Sequence, residues 1–149
     1  MIGLAAIVGG ALFLKKATVL HLENMDHPRT IRIRINASEP FSIFYDHSIY
    51  KAPVAEEFQA EKGTLVLKGV RTKSPAVMEY YGFEDMKEFH PMDQRLGAIY
   101  FKWGTGEGQG LMVRGRKIYL NEIGERGDRI QLRVESMSLP GYFFSKIFN

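Results

Sequence analysis

Apolar residues recur at every second position over most of this chain, and that period constrains its fold more than any other feature. Ile31, Ile33 and Ile35 alternate with Arg32 and Arg34, and Phe41, Ile43, Tyr45 and His47 alternate with Ser42, Phe44, Asp46 and Ser48. Val54, Glu56, Phe58 and Ala60 then alternate with Ala55, Glu57 and Gln59. Successive side chains of a strand point to opposite faces, so such runs predict strands with one face on a core and the other in water. Further strands are expected over 18–22, 65–72, 98–103, 111–114, 117–121 and 129–135. Arg114-Gly115-Arg116 and residues 124–128 supply turns, because glycine reaches positive φ without steric cost. Eight or nine strands joined by short turns, with no long helix between them, predict a mainly antiparallel sandwich or partly open barrel.

Three stretches break the period. Over 75–92 the apolar residues Val77, Met78, Tyr81, Met86 and Phe89 are irregularly spaced, and Gly82 divides any helix into one turn before it and another over 83–89. At the C-terminus Phe143, Phe144, Ile147 and Phe148 follow Pro140-Gly141 at helical spacing, which predicts a short helix docking one apolar face onto the sheet. The sharper alternative is insertion of that face into a membrane surface, with Tyr142 and Lys146 at the interface. At the N-terminus, Ile2 to Leu14 form an uncharged apolar run ended by Lys15-Lys16. The run is shorter than the roughly 20 residues of a spanning helix. Its glycines at positions 3, 9 and 10 weaken a water-exposed helix by about 1 kcal/mol each. Residues 1–16 therefore read as a membrane anchor or signal-like helix, and 17–149 as a single β-rich domain.

Charge and cysteine content narrow the function classes. Twenty Lys and Arg against 17 Asp and Glu lie interspersed along the chain, so no nucleic-acid partner is expected. The absence of Cys excludes disulfides, thiolate metal sites and cysteine nucleophiles together.

Polar chemistry concentrates in the hairpin of residues 41–60. His47 and Glu56 are in phase with apolar residues of their strands, where facing side chains about 5 Å apart could form an acid-base pair or half a metal site. They could equally form a hydrogen-bonded pair that fixes register. Ser48 follows His47 on the same strand and so points away from it, and no Gly-x-Ser-x-Gly elbow exists, which disfavours a serine hydrolase. Glu84, Glu88, His90 and Asp93 match no metal-binding spacing and are expected as a solvated charged face. The glycine-rich stretch 103–110 lacks the Lys-Ser/Thr ending of a phosphate loop and reads as a flexible hairpin loop. Arg126-Gly127-Asp128 reads as part of a turn.

Tyr45-Asp46-His47-Ser48 followed by Pro53-Val54-Ala55-Glu56-Glu57-Phe58 resembles the signature of the DUF1850 family, a His-Ser pair, then Pro-Val, then acids and an aromatic. The resemblance covers about residues 30–135, extending to 63–67, Tyr81-Gly82 and 114–120. Ile49-Tyr50 departs from the apolar residue and acid expected after the His-Ser pair. Members of that family occur beside the membrane subunits of TRAP-type (tripartite ATP-independent periplasmic) transporters of the TAXI kind. The resemblance implies a setting beside such a transporter more than a reaction, and together with the N-terminal run it leads to the expectation of a membrane-tethered, extracytoplasmic accessory module, non-catalytic and without cofactor or metal. It would bind a TRAP-type permease, its solute receptor or the solute through Tyr45, His47, Ser48, Pro53, Glu56 and Glu57. Lys15-Lys16 alone would place the domain on the inner side, so the extracytoplasmic expectation supposes a start further upstream. The competing reading is a small-molecule-binding barrel or small enzyme in which His47, Glu56 and Glu57 line a pocket of a few hundred Å³.

Overall fold

A computed structural model describes residues 15–103 and 108–147. Among them the chain forms ten strands in two antiparallel sheets, with no closed barrel. Strands β1 (Lys16–Asn24) and β2 (Thr30–Ile35) make a hairpin that places Ile31 and Ile33 opposite Leu22 and Leu20. Strands β3 (Pro40–Asp46), β4 (Pro53–Glu61) and β5 (Thr64–Thr72) follow as a meander in the other sheet. Helix α1 (Pro75–Tyr80) then precedes β6 (Phe89–Leu96), which pairs with β5. Gly97 alone separates β6 from β7 (Ala98–Lys102), and there the chain turns a corner from one sheet to the other. The hairpin β8 (Gly110–Val113) and β9 (Arg116–Tyr119) rejoins the larger sheet beside β3. A 3₁₀ turn, Leu120–Glu122, leads on to β10 (Arg129–Ser138), which lies between β1 and β7, and helix α2 (Leu139–Ile147) follows. The sheet orders are β2-β1-β10-β7 and β6-β5-β4-β3-β8-β9.

The inward faces meet in one core. Leu20, Leu22, Ile130 and Leu132 of the smaller sheet pack with Phe41, Ile43, Phe58, Leu65 and Leu111 of the larger. Phe41 and Phe58, directly opposite in register, stack with centroids 5.6 Å apart. Burying each such side chain contributes about 1.5–3 kcal/mol, so this face fixes the strand registers. A second cluster covers one end of the larger sheet, where Val77 of α1 packs on Val54 and Val70. The sequence starts that helix with Pro75 at its first turn and Ser74 as N-cap, whose Oγ accepts from the Val77 N–H at 3.4 Å.

Three expectations are corrected. The second helical turn expected over 83–89 does not form; residues 89–96 are strand β6, because pairing with β5 satisfies backbone groups that would otherwise form a bare sheet edge. Helix α2 docks through Tyr142 and Leu139 onto Ala17 and Val19, while Phe143 and Phe144 point to solvent. The Ile147 side chain and Phe148 lie outside the described residues. Strand β3 ends at Asp46, paired with Pro53, so His47 and Ser48 belong to the turn rather than to a strand. The N-terminal run up to Leu14 and the loop 104–107 also lie outside the described residues. No described helix is long and apolar enough to cross a membrane.

Candidate functional site

Cross-strand register puts Glu56 on the inward face of the larger sheet, opposite Ile43 on one side and Val70 on the other. A carboxylate there requires donors, since an unpaired buried polar group costs about 1–3 kcal/mol. Two tyrosines supply them. The Tyr45 hydroxyl, one diagonal step along β3, donates to Glu56 Oε1 at 2.9 Å, and the Tyr81 hydroxyl, delivered by the end of α1, donates at 3.1 Å. The hydroxyls are 2.6 Å from each other, so two protons serve three oxygen contacts. Burial pushes the Tyr45 hydroxyl far above its ordinary value, with the Glu56 charge and the Tyr81 bond adding to it. Burial likewise raises Tyr81. Both phenols are therefore held neutral as donors.

His47 is buried and organises the turn between β3 and β4. Its backbone N–H donates to the Ala52 carbonyl and its carbonyl accepts from Lys51, both at 2.8 Å. Its Nδ1 faces the amides of Ile49 and Tyr50, each at 3.4 Å. Accepting those N–H groups leaves the ring proton on Nε2. The imidazole stacks on Tyr50 at 5.2 Å and meets the edge of Tyr80 at 4.7 Å. From Tyr80 the ring contacts continue through Tyr81 and Phe83 to His90, whose ring lies 3.8 Å from Phe83 and nearly parallel to it. His90 Nε2 is buried with no hydrogen-bond partner among the described residues.

Of the residues singled out in the sequence, the fold unites Tyr45 with Glu56 and sets His47 beside them in the turn. Glu56 takes its bonds from Tyr45 and Tyr81 and none from His47. Glu57 points to the outer face, 34% exposed, where Arg71 Nε donates to it at 2.8 Å. Ser48 and Pro53 are exposed, and the Pro53 carbonyl accepts from Thr72 Oγ1 at 3.0 Å. His47, Glu56 and Glu57 thus do not converge on a common cavity. Four clefts of about 230–500 Å³ among the described residues are lined by other side chains. The acids around His90 also separate: Asp93 pairs with Lys68, Glu88 lies near Arg71 and Lys73, and no group of three metal-ligating side chains occurs among the described residues. Asp128 accepts from the Glu125 N–H and from Asn24, bonds that hold its carboxyl below the usual range and commit it to its turn.

Sequence reasoning missed Tyr50, Tyr80 and Tyr81 as parts of this site. The available signal was the run Tyr80-Tyr81 at the C-terminal end of a helix too short to bury both rings. The arrangement is chemically closed: one oxygen of Glu56 already receives two donors, and His47 directs its acceptor nitrogen at its own turn. The rim around it is open, because Tyr80 is 60% exposed, Ile49 65% and Tyr50 44%. Compared with family models, curated proteins and solved structures, the chain matches none.

Proposed function

We propose that this chain is a membrane-tethered, non-catalytic binding module whose recognition surface is the rim of Ile49, Tyr50 and Tyr80 around His47. The observation that supports this reading is that large apolar side chains stand exposed on a turn whose backbone is bound from within by a buried histidine. Exposed aromatics on a rigid support resemble the anchors of protein interfaces, where Tyr is enriched and little side-chain freedom is lost on binding. In the setting that the hairpin resemblance implies, the partner is a TRAP-type permease or its solute receptor and the domain is extracytoplasmic.

Beneath that rim, the Tyr45, Glu56 and Tyr81 bonds brace β3, β4 and α1 against one another. Ser48 adjoins Ile49 at the rim, while Pro53, beside Ala55 and Arg71, and Glu57 lie on the far face and take no part in it. Detergent co-purification tests the reading. The wild-type chain is expected to bring down a permease subunit, and Tyr50→Ser/Tyr80→Ser to lose it with an unchanged unfolding midpoint. Retention of the subunit by that folded variant would remove the rim from the argument.

A further inference from the structure

We propose that the open seam between β2 and the β8–β9 hairpin, flanked by α2, binds anionic lipid headgroups at a bilayer surface. Strands β2 and β9 are the edges of their sheets, and the two edges leave a groove of about 500 Å³. Its floor is apolar, with Ile33 and Val113 among the side chains lining it, and Arg32, Arg34, Arg116 and Lys146 surround it. None of these four cations has a carboxylate partner among the described residues. The Nε of Arg32 is buried and without a hydrogen-bond partner there. Arg114, also at the groove, is held by Glu39 at 2.6 Å and donates to the Arg34 carbonyl at 3.1 Å, which ties the hairpin to the edge strand. Glu122, the acid at the groove, accepts from the Tyr119 N–H at 2.9 Å.

Charge complementarity thus specifies an anion, and an apolar floor beneath the cations specifies an anion with an apolar body. The surroundings favour a lipid in a bilayer over a free molecule. Phe143 and Phe144, next to the groove on α2, are 57% and 62% exposed, and Lys146 lies one turn further along the same helix. Adjacent exposed aromatics with a cation on one short helix suit the headgroup boundary. The chain also enters the domain here, since the Leu139 N–H donates to the Lys15 carbonyl at 3.0 Å, and the sequence before Lys15 is the uncharged apolar run from Ile2. Each basic side chain near an anionic surface adds attraction worth a factor of about five.

This inference rests on the tethered placement above, and one experiment separates the two. The full-length chain is floated with vesicles of phosphatidylcholine alone and with vesicles mixing phosphatidylcholine and phosphatidylglycerol. Binding to both is expected, stronger for the mixed vesicles by several hundredfold, four basic side chains at about fivefold each. The preference should vanish near 1 M salt, where the screening length falls to about 3 Å. Arg34→Gln/Arg116→Gln, both exposed and without a carboxylate partner among the described residues, should lower the preference by about 25-fold while leaving phosphatidylcholine binding intact, and Lys146→Gln should lower it by about fivefold. Phosphatidylglycerol preference without any phosphatidylcholine binding would overturn the tether and leave the groove standing. Equal binding to both vesicles, or a preference undiminished in the double variant, would overturn the groove. Inorganic phosphate that occupies the groove, read by the Arg34 amide resonance, and removes the preference at millimolar concentration would make the site one for a free anion and overturn the lipid assignment.

Discussion

On the β4–β5 half of the larger sheet, Glu56 is met by two tyrosine hydroxyls within 3.1 Å. At the β8–β9 edge, Arg116 and, across the seam, Arg34 of β2 and Lys146 of α2 border a groove with no carboxylate paired to them among the described residues. The first half carries a single charge on its inward face and neutral donors bred by burial. The second carries several charges of one sign at an open edge. A polar group inside a sheet must be satisfied by the chain itself, whereas one at an edge can be left to solvent or to a partner. The residues that stand out in the sequence are therefore the satisfied ones, and the residues with free capacity are inconspicuous.

Glu56→Ala is the strongest way to break that contrast. It removes the acceptor of two charge-assisted bonds, leaves one hydroxyl proton unmatched while the two hydroxyls keep their mutual bond, and opens a gap under α1; hydrogen bonds to a charged group contribute about 1.5–3 kcal/mol each. A loss of about 3 kcal/mol in urea unfolding is expected, against less than about 0.5 kcal/mol for Arg34→Gln/Arg116→Gln at the groove, as for surface changes in general. Equal losses in the two variants would mean that the halves are built alike.

Gly110, where β8 passes between β3 and β9, tests whether the groove half is as permissive beneath as it is at its rim. A methyl group there would run into the Ile118 carbonyl and, at 2.9 Å, the Phe44 ring. Overpacking of this kind costs about 1–3 kcal/mol, so Gly110→Ala should lower stability by about 2 kcal/mol although its neighbours at the rim tolerate change. A stability within error of wild type would show that β9 can shift away.

Smaller still is the effect of one hydroxyl. Tyr81→Phe removes one of the two donors to Glu56 and should cost about 1 kcal/mol. Tyr80→Ser, one residue earlier and exposed, should leave the unfolding midpoint nearly unchanged while weakening partner capture. If Tyr80→Ser destabilises as much as Tyr81→Phe, the rim belongs to the fold rather than to a recognition surface.

The period-two pattern made nine of the ten described strands visible, since strands such as β2 and β4 present one apolar face each. Strand β6 escaped because Phe-His-Pro-Met-Asp-Gln-Arg-Leu has no alternation: it is an edge strand with His90 buried and Asp93 in solvent. The phase of Glu56 was legible, and so was its need for a partner. The partner's identity was not, because the turn of residues 47–52 carries no Asn-Gly or Gly-Gly mark and the register it sets moves His47 off the strand. Helix α1 brings Tyr81 to Glu56 from 25 positions away. The groove was the least legible part. Arg114 and Arg34 lie 80 positions apart, each in an alternating run, and their meeting depends on which strands end up as sheet edges.

The two halves should also fail at opposite ends of the pH scale. Tyr45 and Tyr81 have folded values raised above the ordinary 10.0, so the folded state holds their protons more tightly than the unfolded chain does. Their contribution is complete below that value and is lost as pH rises beyond it. Glu39 at the groove behaves in the reverse sense: the bond from Arg114 holds its carboxyl below the ordinary 4.5, outweighing burial. That contribution is complete above 4.5 and is lost as pH falls through the folded value. In an alkaline absorbance titration, Tyr45 and Tyr81 should ionise only as the domain unfolds. Tyr45→Phe should remove one of them and flatten the alkaline loss of stability, leaving the acid limb as in wild type. Glu39→Gln should flatten the acid limb slightly and leave the alkaline limb alone, the smallest effect expected here because Arg114, the other half of the pair, is exposed and screened. Both limbs moving together in either variant would show that the Tyr45 and Glu39 clusters are one coupled network rather than two independent ends of a sheet.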